Sequence, residues 1–123
     1  MSAGEVVLHG LDNCDTCRKA RNWLDRFAVA NRFIDYRAER VPPTVLKEWA
    51  GKLGGWDKLI NRASTTWRTL PEQRKSPGSD PEWTLLIREY PALVKRPVVV
   101  SADGLVSVGF SDNGFRKLFG ASP

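Results

Sequence analysis

Cys14 and Cys17 are the only cysteines in a chain of 123 residues, and they stand three positions apart. Four cations, Arg18, Lys19, Arg21 and Arg26, follow within the next nine residues. The thiolate is the nucleophile in thiol chemistry, and neighbouring positive charge favours it. Two thiols at i and i+3 of a helix are close enough to bridge after a small adjustment. The pair therefore points to redox chemistry in which Cys14 attacks and Cys17 resolves the adduct. A packed core thiol is the other role open to Cys17, since free cysteine is often buried. Zinc is the weaker use, because a zinc site normally takes three or four protein ligands and His9 is the only histidine. His9 itself reads as a strand residue without chemistry.

The remaining candidates are arginines. Lys95-Arg96-Pro97 places a guanidinium before a proline, and X-Pro bonds are the ones that adopt cis. Asn61-Arg62-Ala63-Ser64-Thr65-Thr66-Trp67-Arg68 is a polar stretch with two more. Guanidinium forks bind oxyanions or carboxylates bidentately. Arg62 and Arg68 fit that role or a surface ion pair equally well.

The elements that must hold these residues follow from periodicity. Glu5 to His9 is a β-branched apolar run and reads as a strand, followed by a loop over Gly10–Asn13. From Cys14 the period changes. Thr16, Ala20, Trp23, Leu24 and Phe27 share one helical face, so Cys14 falls at a helix start, where unpaired N–H groups stabilise an anion. Arg32–Tyr36 reads as a second strand. Pro42-Pro43-Thr44 opens a helix through about Leu53, which Gly54-Gly55 ends. A short helix is expected at Asp57–Asn61, a loop at Ala63–Arg68, and a helix from Ser79-Asp80-Pro81-Glu82 that Pro91 closes. Val98–Val100 and Leu105–Val108 flank Asp103-Gly104, a hairpin signal. Asp112–Phe119 is a last helix, capped by Ser111 or Asp112.

The order βαβ, helices, ββα predicts an α/β fold: a thioredoxin-like sheet with a helical insertion at about 43–90, in a single domain spanning 1–123. A C-x-x-C beside a βαβ pattern supports it. In such a fold a cis proline faces the cysteine loop, which would bring Arg96 near Cys14.

The net charge is +5. The cations run from Arg18 to Lys117 without a basic block. A small-anion site is expected, with no direct nucleic-acid binding. No apolar run reaches the roughly 18 residues of a membrane span, and Met1–Glu5 lacks the features of a signal peptide. A cytoplasmic protein without membrane partners is expected, and there a close cysteine pair is rarely a structural disulfide.

Asn13-Cys14-Asp15-Thr16-Cys17-Arg18-Lys19-Ala20, Leu59-Ile60-Asn61-Arg62, Thr65-Thr66-Trp67-Arg68, Lys95-Arg96-Pro97 and Val108-Gly109-Phe110-Ser111 together resemble the arsenate reductase/Spx family of thioredoxin-fold proteins, over about Val6 to Phe119. The resemblance implies an attacking cysteine at Cys14 and an anion-binding arginine at Arg96. It implies a second at Arg62, to within one residue; Asn13, Arg68 and Pro97 are further candidates for contact with the substrate. It further implies glutathione or glutaredoxin as co-substrate and partner, with no bound cofactor. Two positions depart from the pattern of arsenate reductases. Gly109-Phe110 stands where a third arginine is expected, and Gly10-Leu11 where a His-Asn pair precedes the cysteine.

Gly-Phe-Ser and Thr-Thr-Trp-Arg are more similar to a branch for which a glutathione-dependent thiol reductase role has been suggested. The Cys14/Cys17 pair resembles Spx-type regulators, which use a disulfide switch and bind RNA polymerase. These usually run on past the last helix with a basic tail. The expectation is a thiol–disulfide oxidoreductase, with a redox-switched transcriptional regulator and a true arsenate reductase as alternatives.

Overall fold

A computed structural model of the chain describes residues 5–120. Met1–Gly4, most of the segment read above for leader features, and residues 121–123 lie outside the described residues. The strands are β1 (Val6–Gly10), β2 (Asn31–Asp35), β3 (Val98–Val100) and β4 (Val106–Val108). The helices are α1 (Asp15–Arg26), α2 (Pro43–Leu53), α3 (Trp56–Leu59), α4 (Thr65–Arg68), α5 (Asp80–Glu89) and α6 (Asp112–Phe119). The chain forms two compact units. One contains the residues up to Asp35 and from Arg96 onward, the other Tyr36–Lys95.

The first unit is a four-stranded sheet in the order β2-β1-β3-β4. β1 and β2 run parallel, with Leu8 opposite Phe33, so a helical crossover, α1, must join them. β3 is antiparallel to β1, with Val99 opposite Leu8, and β4 returns antiparallel to β3. This is the thioredoxin-like arrangement that the order of elements predicts.

Alternation along β1 sets the core. Val6, Leu8 and Gly10 are buried while Val7 and His9 are partly exposed, as a pleated strand requires. Val6, Leu8 and Val99 from the sheet meet Ala20, Trp23 and Leu24 of α1 and Phe115 of α6 in one cluster. Trp23 joins the two helices. Its ring stands perpendicular to Phe115, with centroids 5.4 Å apart, and its indole N–H donates to Asp112 Oδ1 at 2.7 Å. Ser111, one of the two caps considered, closes the start of α6 by accepting from the Gly114 N–H at 3.0 Å.

The second unit is helical. Pro43 opens α2 and Gly54, at φ 100°, ends it, as the sequence predicts. Ser79 caps α5, accepting from the Glu82 N–H at 3.3 Å. Residues 63–68 differ from the loop expected there. Thr65–Arg68 forms one helical turn, because Ser64 accepts from the Trp67 N–H at 3.1 Å and so closes its first turn. Trp67 and Trp56 both stack against the Trp83 indole, at 6.3 and 5.9 Å between centroids. Pro91 likewise does more than end α5, since it starts a 3₁₀ turn, Pro91–Leu93.

Candidate active site

The site is built where β1 hands over to α1. The chain leaves the sheet at Gly10, turns through Asp12 and Asn13, and closes with the Cys14 N–H donating to the Leu11 carbonyl at 3.3 Å. Cys14 is extended, at φ −102° and ψ 122°, so the helix begins one residue later than the periodicity suggested. Its carbonyl accepts the Arg18 N–H at 3.0 Å, the first helical hydrogen bond. Cys14 thus occupies the N-cap and Cys17 the third helical position. No ordinary side-chain cap hydrogen bond closes the helix. The larger, softer sulfur of Cys14 faces the N–H groups of Thr16 and Cys17 instead.

The two thiols have opposite environments. Cys14 is partly exposed, whereas Cys17 is 2% exposed. Burial pushes the Cys14 thiol up, but the Cys17 N–H, the Cys17 thiol, the Arg96 guanidinium and the Thr16 N–H all donate to its sulfur and together hold it below the ordinary cysteine value. Cys17 is pushed up to about 12, first by burial and then by the Cys14 sulfur it faces, against the lowering effect of the Leu11 N–H and Arg96. Of the two, Cys14 is therefore the thiol that ionises first, and Cys17 donates its hydrogen bond to the Cys14 sulfur.

Arg96 and Pro97 reach this site from the start of β3. The Arg96–Pro97 peptide is cis, and the Pro97 carbonyl accepts the Gly109 N–H at 2.8 Å. That bond fixes the turn after β4 where the resemblance implies a third arginine. Gly109 has φ +79°, a region unfavourable to a side chain. Phe110 is directed into the core, edge-on to Phe115 at 4.7 Å. Neither position carries a guanidinium, and neither is free to present one.

Of the other sequence candidates, Asn13 is exposed in the turn before Cys14. Arg18 is paired with Asp15 at 2.7 Å on the exposed face of α1, so part of the positive field expected from it is offset. Arg62 and Arg68 belong to the helical unit. Arg62 is engaged in the ion pair that was its alternative role, with Asp57 at 2.5 Å, and its guanidinium lies 5.3 Å from the Trp67 ring centre. Arg68 donates to the Ala63 carbonyl at 2.6 Å.

Two contributors escaped sequence reasoning. Leu11 acts through its backbone N–H, which no side-chain motif reports. Gly10 acts by having no side chain, because a Cβ there would lie 2.4 Å from the Cys17 sulfur. His9 is held neutral, its pKa lowered to about 4 by burial and then by Arg32. Among the described residues, no group of three or more His, Cys, Asp or Glu side chains converges as metal ligands would.

A thioredoxin-like sheet that presents a dithiol at the start of its first helix, opposite an arginine and a cis proline, defines a thiol-redox class of protein. A sequence profile described as the ArsC family matches residues 9–118, and the chain belongs to that family. It is 34% identical over 114 residues to an uncharacterized protein of Haemophilus influenzae, covering 93% of this chain and 98% of that one. It is 31% identical to the global transcriptional regulator Spx of Streptococcus pneumoniae, covering 90% of this chain and 83% of Spx. The solution structure of an arsenate reductase related protein from Brucella melitensis superposes with a TM-score of 0.74 at 34% identity, covering 98% and 99% of the two chains. No helix among the described residues is long and apolar enough to cross a membrane.

Proposed function

We propose that the protein is a glutathione-dependent thiol–disulfide reductase of the cytoplasm, with Cys14 as its nucleophile. The observation that carries this reading is the convergence of the Arg96 guanidinium, the Cys17 thiol and two helix N–H groups on the Cys14 sulfur. Membership of a family that includes arsenate reductases supports a reductase in general terms.

In the proposed mechanism the Cys14 thiolate attacks one sulfur of a mixed disulfide. A Cys14–S–S bond forms, the substrate disulfide breaks, and the departing thiolate takes a proton from solvent. The new adduct carries no charge on the Cys14 sulfur. Burial still raises Cys17, but the further rise caused by the Cys14 sulfur anion is gone, while the lowering effect of Arg96 remains. Cys17 is therefore easier to deprotonate once Cys14 has reacted. It then attacks the Cys14 sulfur, releasing the bound thiol and closing a Cys14–Cys17 disulfide. Two glutathione molecules reopen that disulfide and leave as oxidised glutathione. Free glutathione attacking the first adduct directly is the shorter route and has the same two-electron balance. Arg96 holds an anionic group of the substrate, such as a glutathione carboxylate, and Asn13 and Pro97 flank it.

The test is NADPH consumption coupled through glutathione reductase, with a glutathione mixed disulfide and with arsenate as substrates. Disulfide turnover that vanishes in Cys14→Ser is expected, with little arsenate turnover because the Gly109-Phe110 turn supplies no arginine. Cys14→Ser with full activity overturns the reading. The dithiol and the similarity to Spx favour a second one, a redox-switched regulator that binds RNA polymerase in one oxidation state. It predicts polymerase capture that depends on oxidation, without turnover.

A further inference from the structure

The helical unit contains a cavity of about 270 Å³ that the redox chemistry does not use. Its floor is apolar. Tyr36, Leu46, Trp49, Ile87 and Val94 line it, and all five are buried. The Tyr36 hydroxyl is satisfied by donating to the Val94 carbonyl at 2.9 Å, so it asks nothing of a ligand. The volume lies at the lower end of small-molecule sites and suits a body about the size of two fused rings.

Two exposed arginines, Arg40 and Arg88, belong to the same lining. Neither side chain has an ion-pair, hydrogen-bond or ring partner among the described residues. Other arginines of the chain, Arg18, Arg32, Arg62, Arg74 and Arg116, are engaged in ion pairs. The first turn of α2, which also lines the cavity, contains no acidic residue, so the positive end of that helix is uncompensated. An apolar floor whose charged lining residues, Arg40 and Arg88, are both cationic favours one ligand chemistry, an apolar body carrying one anionic group.

We propose that this cavity is a binding site for a small aryl or alkyl carboxylate, with Arg40 and Arg88 holding the carboxylate and the body lying on Leu46, Trp49 and Ile87. A free carboxylate fits better than the C-terminus of a peptide. Pro42, Pro43 and Pro91 lie along the lining, and proline has no N–H to donate to an incoming backbone.

The test uses 2-naphthoate and its neutral counterpart 2-naphthalenemethanol, titrated into the full chain and followed by ¹H–¹⁵N spectra. Saturable naphthoate binding is expected, with shifts concentrated on the Leu46, Thr84 and Ile87 amides and the Trp49 indole. The alcohol should bind at least about tenfold more weakly, since hydrogen bonds to charged groups carry that much selectivity. Arg40→Gln with Arg88→Gln, both at exposed positions, should reduce naphthoate to the level of the alcohol. Thr84→Trp, which fills the cavity from its wall, should abolish both. Absence of saturation, equal binding of acid and alcohol, or naphthoate binding unchanged in the double variant would overturn the proposal. Tighter binding of a tetrapeptide ending in a free leucine carboxylate would overturn the choice of ligand.

Discussion

A Cβ on Gly10 would stand 2.4 Å from the Cys17 sulfur and 3.3 Å from Phe33 Cε1. The last residue of β1 is therefore glycine because the second thiol of the site occupies the space where a side chain would go. Arsenate reductases are expected to carry a histidine near this place, and here its absence makes room for a second sulfur. Gly10 does not have positive φ, so alanine is disfavoured by crowding and not by backbone strain. Gly10→Ala should cost about 1–3 kcal/mol, the usual range for overpacking a filled core. In a Cys17→Ala background the same change should cost much less. Equal costs in the two backgrounds, measured by denaturant unfolding, would show that the Cys17 sulfur is not what excludes the side chain.

The two cysteines should separate cleanly by alkylation. Iodoacetamide should modify Cys14 with a pH midpoint below that of an ordinary cysteine, and leave Cys17 protected at pH 9, since burial first, and the Cys14 sulfur after it, raise Cys17 to about 12. Arg96→Gln should shift the Cys14 midpoint upward, because one of the donors that lowers it is lost. An unchanged midpoint would remove Arg96 from the thiolate's environment. Cys17 also makes an alkaline prediction. In the unfolded chain it ionises near the ordinary cysteine value, while in the folded chain it stays protonated to about 12. Its contribution to stability is therefore lost as pH rises through that window, and Cys17→Ala should flatten the loss.

His9 makes the matching acid prediction. Its folded pKa of about 4 lies below the unfolded value of 6.5. The unfolded chain therefore binds the proton first, and stability declines as pH falls from about 6.5 to about 4. Above that range the contribution of His9 is complete. His9→Gln should flatten the upper part of this decline, where carboxylates have yet to titrate. A melting temperature with the same pH dependence in both proteins would show that His9 is not held neutral.

Trp23 is the test of how α1 is held. Trp23→Phe keeps most of the ring packing against Phe27 and Phe115 but removes the indole N–H that reaches Asp112. A loss of about 0.5–1.5 kcal/mol is expected, the net worth of one such hydrogen bond. A neutral result would assign the helix contact to ring packing alone.

Much of this architecture was legible in the sequence. The β-branched apolar run at Glu5–His9, the 3.6-residue period from Thr16 to Phe27, the Asp103-Gly104 turn and the Ser111 cap are local signals, and each produced its element to within a residue or so. The turn at Thr65–Arg68 was not legible, because four residues are too few to show a period. What makes it helical is a hydroxyl cap from Ser64 and a tryptophan stacked on the distant Trp83. The same contrast holds at the site. Cys14, Cys17 and Arg96 were visible as residue types at informative positions. Gly10 and Leu11 were not, since one acts through an empty volume and the other through a backbone N–H, and both depend on where the chain places the Cys17 sulfur.

The most direct test of the proposed chemistry is to trap its first covalent step. Cys17→Ser protein, mixed with a glutathione disulfide of a small thiol and quenched in acid, should carry one glutathione on Cys14 by intact mass and peptide mapping. Added reduced glutathione should release it. Absence of the adduct from folded, reduced protein, or an adduct that persists in Cys14→Ser, would contradict a Cys14 nucleophile.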